Sequence, residues 1–104
     1  MDSIYSELIG KYVICRSRNE GLNAGVVISA DETGVLMGEA RRLWYHKPAK
    51  QGASWYEAIA NSGISSDSKI SEPVAQKLIV EDYSLTLCSA EAEKSLREAI
   101  AHEN

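Results

Sequence analysis

The 104-residue sequence contains no phenylalanine, and it has only two cysteines, two prolines and two histidines. Without phenylalanine, the aromatic bulk comes from Trp44, Trp55 and five tyrosines, whose polar tips suit half-buried positions and interfaces. No apolar stretch approaches the roughly 20 residues that a membrane-spanning helix needs. The first ten residues include Asp2 and Glu7 but no basic segment ahead of an apolar one, so we expect no signal peptide and a soluble, cytoplasmic protein.

The small number of cysteines and histidines also limits which catalytic or metal sites the chain can form. Cys15 and Cys88 lie in apolar, strand-like runs without a CxxC motif, which predicts buried free thiols of an intracellular protein. His46 and His102 lack the spacing of zinc ligands, and no glycine-rich phosphate loop is present. A Cys–His pair would have to use His46, yet neither cysteine has the surroundings that lower a thiol pKa. We therefore expect no catalytic residue, no metal and no cofactor.

The charge is unevenly distributed along the chain. The net charge of −4 argues against a general DNA binder or a binder of anionic membranes. Residues 1–52 hold seven Lys and Arg against six Asp and Glu, whereas residues 53–104 hold four against nine. One acid-free segment of the first half carries four cations: Arg41, Arg42, Lys47 and Lys50. A local basic patch on an acidic protein favours a small anionic ligand or partner.

The hydrophobic pattern predicts one α+β domain over residues 1–104. Apolar alternation and β-branched residues indicate five strands, at 11–16, 22–30, 35–46, 74–80 and 83–88. Short connections predict that the first three form an antiparallel meander and the last two a hairpin. Helices are predicted from Asp2 or Ser3 to Ile9, over 55–62 and over 90–101, and the serine-rich stretch 64–72 is predicted to be a mobile connection.

Local signals add detail to these elements. Apolar residues occupy both phases of the third strand, which predicts a β-bulge near 38–40. Ser54 and Glu57 match a capping box, and Gly63 is placed to end the central helix. On the last helix an apolar stripe would pack on the sheet, formed by Ala92, Leu96, Ala99 and Ile100.

The third strand also carries the candidate site. In a strand, Arg42, Trp44 and His46 project from one face, and Arg41 and Tyr45 from the other. Guanidinium groups bind phosphates and carboxylates through paired hydrogen bonds, and aromatic rings stack on bases. The predicted ligand-binding residues are Arg41, Arg42, Trp44, Tyr45, His46 and Lys47. The residues alone leave a structural alternative open, in which the rings pack in the core and the arginines pair with carboxylates such as Glu39.

The segment Ala-Arg-Arg-Leu-Trp-Tyr at 40–45, followed by Gly-Ala-Ser at 52–54, resembles a family of small phage and prophage proteins of unknown function. The resemblance extends over roughly residues 12–96. The family often has a second tryptophan where this sequence has His46, and its loop is shorter than 47–51. The resemblance implies a phage-linked, non-enzymatic accessory protein that acts in the host cytoplasm.

Four functional hypotheses follow from these features. The first is a homo-oligomeric binding protein that sequesters a small anionic ligand, such as a cyclic nucleotide immune signal, with a site between subunits. The second is a protein–protein module that inhibits or adapts a host protein through Trp44, Tyr45 and Trp55. A weak nucleic-acid binder and an enzyme are the third and fourth, and the overall acidity and the missing catalytic groups count against them. We expect no membrane partner.

Overall fold

The computed structural model describes residues 4–17, 21–45, 55–65, 68–80 and 82–101, without the side chains of Trp44, Tyr45, Trp55 and Tyr56. A short N-terminal 3₁₀ helix precedes the sheet. In chain order the elements are the 3₁₀ helix Ile4–Leu8, β1 Tyr12–Ser17, β2 Gly21–Asp31, β3 Gly34–Tyr45, α1 Trp55–Ser62, β4 Lys69–Ile70, β5 Val74–Val80, β6 Tyr83–Leu87 and α2 Ala90–Glu98. This confirms the predicted α+β class, with an antiparallel sheet and a C-terminal helix.

The six strands form one sheet in the order β4-β3-β2-β1-β6, and β5 also pairs with β3. The structure differs from the prediction at β5 and β6, which were expected to form a hairpin. Only residues 81 and 82 separate them, yet β5 pairs with β3 and β6 pairs with β1. Ile79 of β5 and Leu85 of β6 pack on the same inner cluster, because the sheet curls until its two edges approach each other.

The curled sheet has a core on each of its faces. The cluster between the sheet and the helices contains Tyr12 and Ile14 of β1 together with Leu96 of α2. The inner cluster, inside the curl, contains Val13 and Cys15 of the same strand. Because the alternating side chains of β1 enter both clusters, this strand is apolar in both phases.

The predicted β-bulge in the third strand is confirmed. Between Ala24 and Val26 of β2 the partner in β3 moves from Arg41 to Gly38, so one extra residue is inserted in β3. Glu39 of the bulge has φ 51°, a left-handed conformation that side chains other than glycine rarely adopt. The bulge lets Leu43 and Met37 face different clusters, which accounts for the mixed pattern of this strand.

The helices agree with the prediction except at the chain ends. Helix α1 begins and ends as predicted, and Gly63 follows it with φ 87°. Helix α2 ends at Glu98. Ala92, Leu96 and Ala99 pack on the sheet as predicted, but Ile100 is 93% exposed, so the predicted packing of Ile100 is wrong. The N-terminal turn is 3₁₀, and β4 lies within the stretch that was predicted to be a mobile connection. No helix in the described ranges has the length and apolarity of a bilayer crossing.

Ser89 joins the two helices as well as capping one of them. Its Oγ accepts a hydrogen bond from Ala92 N (3.0 Å) and donates one to Asn61 O (2.7 Å) at the end of α1. We expect Ser89→Ala to lower the free energy of unfolding by about 1–2 kcal/mol, because both bonds are lost. Urea denaturation measures this, with the exposed Ser84→Ala of β6 as the control. An equal effect of both variants would contradict the prediction.

Candidate anion-binding site

Arg41 is almost completely buried, with 4% of its surface exposed. Its guanidinium lies between the sheet and the C-terminal end of α2. Nη1 donates to Leu96 O (2.8 Å) and Arg97 O (3.4 Å), and Nε donates to Ser71 O (2.7 Å). Carbonyl groups at a helix C-terminus carry partial negative charge and favour a cation there. Arg41 therefore holds β3, the segment before β5 and the end of α2 together.

Arg41 forms no ion pair with a carboxylate of the described residues, and its Nη2 donates no hydrogen bond to any of them. Burial lowers the pKa of the guanidinium, and a nearby carboxylate, Glu72, raises it without contact. Buried charges in proteins are normally paired, because removing a lone charge from water is costly. Among the described residues, Arg41 therefore has carbonyl partners but no carboxylate partner.

Tyr12 provides a second unmatched group at the same place. The residue is 3% exposed, and its hydroxyl is a buried polar atom without a hydrogen-bond partner among the described residues. Burial raises the pKa of this hydroxyl to about 12, although Arg97 and Arg41 act in the opposite direction. The hydroxyl therefore stays protonated at neutral pH and can donate a hydrogen bond. Buried tyrosine hydroxyls usually have a partner, so the missing acceptor requires an explanation.

Arg41 and Tyr12 line the same small cavity, which has a volume of about 70 Å³. Glu39, Pro73 and Arg97 complete its wall. The Arg97 guanidinium lies over the Tyr12 ring, 4.7 Å from its centroid, and its Nη1 pairs with Glu39 Oε2 at 3.0 Å. The cavity has room for about two water molecules, or for one small anionic head group. Two arginines and one tyrosine line this volume, and guanidinium groups are suited to bind an oxyanion.

The structure places Arg42 on the other face of β3, so the two neighbouring arginines do not meet. Arg42 lies opposite Asn23 of β2, and its side chain is exposed with no ion pair to any described residue. Its backbone is held firmly, since Arg42 N donates to Ser71 Oγ (2.8 Å) and Ser71 N donates to Arg42 O (2.9 Å). A single phosphate cannot contact both guanidiniums from one face of the strand.

Lys77 adds a cation on the side of the sheet to which Arg42 belongs. Its Nζ donates to Oδ1 of the fully buried Asn23 at 3.0 Å. Lys77 also lowers the pKa of Cys15, but burial has the larger effect and raises it to about 12. Burial likewise raises the pKa of Cys88 to about 12. Both thiols are buried, as predicted, and stay protonated at neutral pH.

The remaining predicted site residues cannot be placed. Trp44 and Tyr45 are the last two residues of β3, and their side chains lie outside the described part of the structure. His46 and Lys47 lie outside the described residues altogether. Their role in ligand binding stays a prediction. Among the residues that are described, no group of three His, Cys, Asp or Glu side chains is placed to hold a metal.

Arg41 was identified as a candidate from the sequence, but the residues that line the cavity with it were not. Tyr12, Glu39 and Arg97 come from three separate elements, and only folding brings them together. The bulge at Glu39 was the one local signal, because bulges often change the direction of side chains near sites. Nothing in the neighbourhood of Tyr12 or Arg97 in the sequence indicates a shared cavity.

The fold and the cavity define a class of protein: a small α+β domain with an antiparallel sheet, a C-terminal helix and a small cavity whose lining includes two arginines. The chain belongs to the DUF6948 family, a domain of unknown function whose model matches residues 10–96. Membership of an uncharacterised family is thus confirmed over most of the chain. A comparison with curated proteins finds no match, and a comparison with solved structures finds none either.

Proposed function

We propose that the protein is a non-enzymatic binding protein that holds a small anionic ligand in the cavity formed by Tyr12, Arg41 and Arg97. One observation carries the proposal: the same cavity is lined by Arg41, which is buried and has no carboxylate partner among the described residues, and by Tyr12, whose buried hydroxyl has no acceptor among them. An anionic head group would satisfy both. The Cys15 and Cys88 thiols are protonated and buried, which supports binding over turnover.

The rest of such a ligand lies outside the cavity, since about 70 Å³ accommodates one head group and no ring. In this proposal Trp44 and Tyr45 stack on the ligand, and His46 and Lys47 add polar contacts after the end of β3, whereas Arg42 lies on the opposite face of the strand from Arg41. Arg41 positions both the anion and the end of α2. The sequence resemblance suggests a particular form of this function. In that form the protein is phage-encoded, forms a homo-oligomer in the host cytoplasm and sequesters a cyclic nucleotide immune signal.

Isothermal titration calorimetry tests the proposal with a panel of inorganic phosphate, acetate, adenosine monophosphate and cyclic mono- and dinucleotides. We expect at least one phosphate-bearing member to bind, and we expect added salt to weaken the binding because the contact is electrostatic. Absence of binding by every member to the folded protein would sink the proposal. Conversion of a bound nucleotide into product would replace it with an enzymatic function.

Tyr12→Phe separates a ligand-binding hydroxyl from a structural one. The variant removes a buried donor without a partner, so we expect the free energy of unfolding to stay unchanged or to rise by about 1 kcal/mol. Its affinity for the anion should fall by roughly tenfold or more, because the variant loses a hydrogen bond to a charged group. Urea denaturation and calorimetry measure the two effects.

The matched control is Tyr83→Phe. The Tyr83 hydroxyl donates to Asp31 O (2.5 Å) and Gly34 O (3.2 Å), and it lies away from the cavity. Its loss should therefore cost about 1 kcal/mol of stability and leave anion affinity unchanged. If Tyr12→Phe behaved in the same way, the hydroxyl would have no part in ligand binding.

A protein–protein module is the second candidate, and one observation favours it. The outward side of β5 exposes three large apolar side chains, namely Val74 (48%), Leu78 (64%) and Val80 (47%). This strand pairs with β3 alone among the described strands, so it offers an edge to which another chain can add a strand. A pull-down from bacterial lysate without added nucleotide tests for a host partner, and light scattering tests for self-association through the same face.

A further inference from the structure

Glu39 occupies an unusual place in the cavity wall. It sits in the β3 bulge with φ 51°, where glycine or asparagine would be less strained. Its side chain is 61% exposed, and its Oε2 lies 3.0 Å from Arg97 Nη1. Residues held in a costly backbone conformation cluster at functional sites, where the surrounding structure maintains the strain. The cavity therefore already has one anionic group of the protein at its wall.

Arg97 does not depend on Glu39 for its position. Its Nε donates to Glu93 Oε2 at 2.7 Å, one helical turn away, and its guanidinium rests on the ring of Tyr12. Both contacts would persist if the Glu39 carboxylate moved away. The exposed pair with Glu39 is the weaker attachment, because water competes for both partners.

We propose that Glu39 is a built-in competitor for the anion site, which an incoming oxyanion displaces from Arg97. This inference rests on the proposed function. It adds which chemical group of the ligand occupies the cavity and how that group replaces Glu39 there. Among the described residues, the charged groups around the cavity are the cations Arg41 and Arg97 and the carboxylates of Glu39, Glu93 and, farther away, Glu72. Arg97 pairs with two carboxylates, Glu93 and Glu39. Arg41 pairs with no carboxylate of the described residues.

The ligand group that fits this exchange is a single small oxyanion, a phosphate or a carboxylate. It takes over the Arg97 Nη1 bond that Glu39 gives up, and it gains Arg41 and the Tyr12 hydroxyl, which Glu39 does not contact. No covalent bond is made or broken. The freed Glu39 side chain returns to water, where its charge is solvated, so the exchange costs the protein only one exposed ion pair.

Glu39→Gln tests the competition. The amide keeps the shape of the side chain but loses the charge, so we expect the dissociation constants of inorganic phosphate and adenosine monophosphate to fall roughly two- to fivefold. Glu91→Gln is the matched control, because it removes the same charge from an exposed position in the first turn of α2, away from the cavity. Its dissociation constants should stay within a factor of about 1.5, which corrects for the change in net charge.

The outcomes distinguish the two proposals. If the wild-type protein binds phosphate or adenosine monophosphate but Glu39→Gln binds no more tightly than Glu91→Gln, Glu39 does not compete and the inference is wrong, while the proposed function stands. If neither ligand binds the wild-type protein, both fail. Should Glu39→Gln not fold, nitrogen-15 NMR of the wild-type arginine side chains decides, since displacement must shift the Arg97 signals on addition of phosphate. Unshifted Arg97 signals at saturation would overturn the inference.

Discussion

Arg41→Met is expected to destabilise the protein by about 2–4 kcal/mol and to abolish anion binding. Methionine retains the length and apolar stem of the side chain, but it removes every donor. The carbonyls of Ser71, Leu96 and Arg97 then lose their hydrogen bonds from this side chain in a buried place, each at a cost of roughly 1–3 kcal/mol. Relief from burying an unpaired charge offsets part of that sum. Urea denaturation and calorimetry with inorganic phosphate measure the two losses.

Arg41→Lys is the informative companion to this variant. Lysine keeps the charge, but it replaces the planar fork by a single ammonium, which cannot reach Ser71 O and Leu96 O with the same geometry. We expect it to recover part of the stability and part of the anion affinity. If Arg41→Met proved as stable as the wild type and bound phosphate equally well, Arg41 would neither secure α2 nor hold a ligand.

The strands and helices were largely predictable because their signals are local. The bounds of α1 were predicted from the capping-box pattern of Ser54 and Glu57 and from Gly63. The bulge near Glu39 was predictable because one strand cannot place apolar residues in both phases on a single face. The pairing of β5 and β6 was not predictable, since a two-residue connection favours a hairpin locally. The packing of the buried Ile79 and the partly buried Leu85 on one inner cluster overrides that preference.

The candidate site was only partly predictable, for a related reason. Arg41 was chosen for its residue type and its neighbours, whereas its chemical setting comes from the end of α2, more than fifty residues later in the chain. Alternation along a strand correctly separates Arg41 from Arg42, but it does not say which face the helices cover. The unmatched Tyr12 hydroxyl is a property of packing, and no sequence pattern reports it.

Gly63→Ala is expected to be the most damaging substitution of a single glycine outside the sheet, at about 2–5 kcal/mol. Gly63 has φ 87°, a conformation that costs alanine about 1–2 kcal/mol. A Cβ atom there would lie 2.4 Å from Ser95 Cβ and 2.5 Å from Ser95 Oγ, so α2 would have to move away from α1. That overpacking adds about 1–3 kcal/mol. Thermal and urea denaturation measure the total.

Gly10→Ala isolates the steric part of this effect. Gly10 has nearly the same conformation, φ 84°, but no atom lies within 4 Å of the position of an added Cβ. Its substitution should cost only the conformational share, about 1–2 kcal/mol. Ser95→Gly in the Gly63→Ala background removes the atoms that clash, but it also loses the hydrogen bond from Ile64 N to Ser95 Oγ and puts glycine inside α2, so it should restore only part of the difference. If Gly63→Ala and Gly10→Ala lost equal stability and Ser95→Gly gave no rescue, the prediction would be contradicted. The close approach of α1 and α2 would then not be the reason for glycine at position 63.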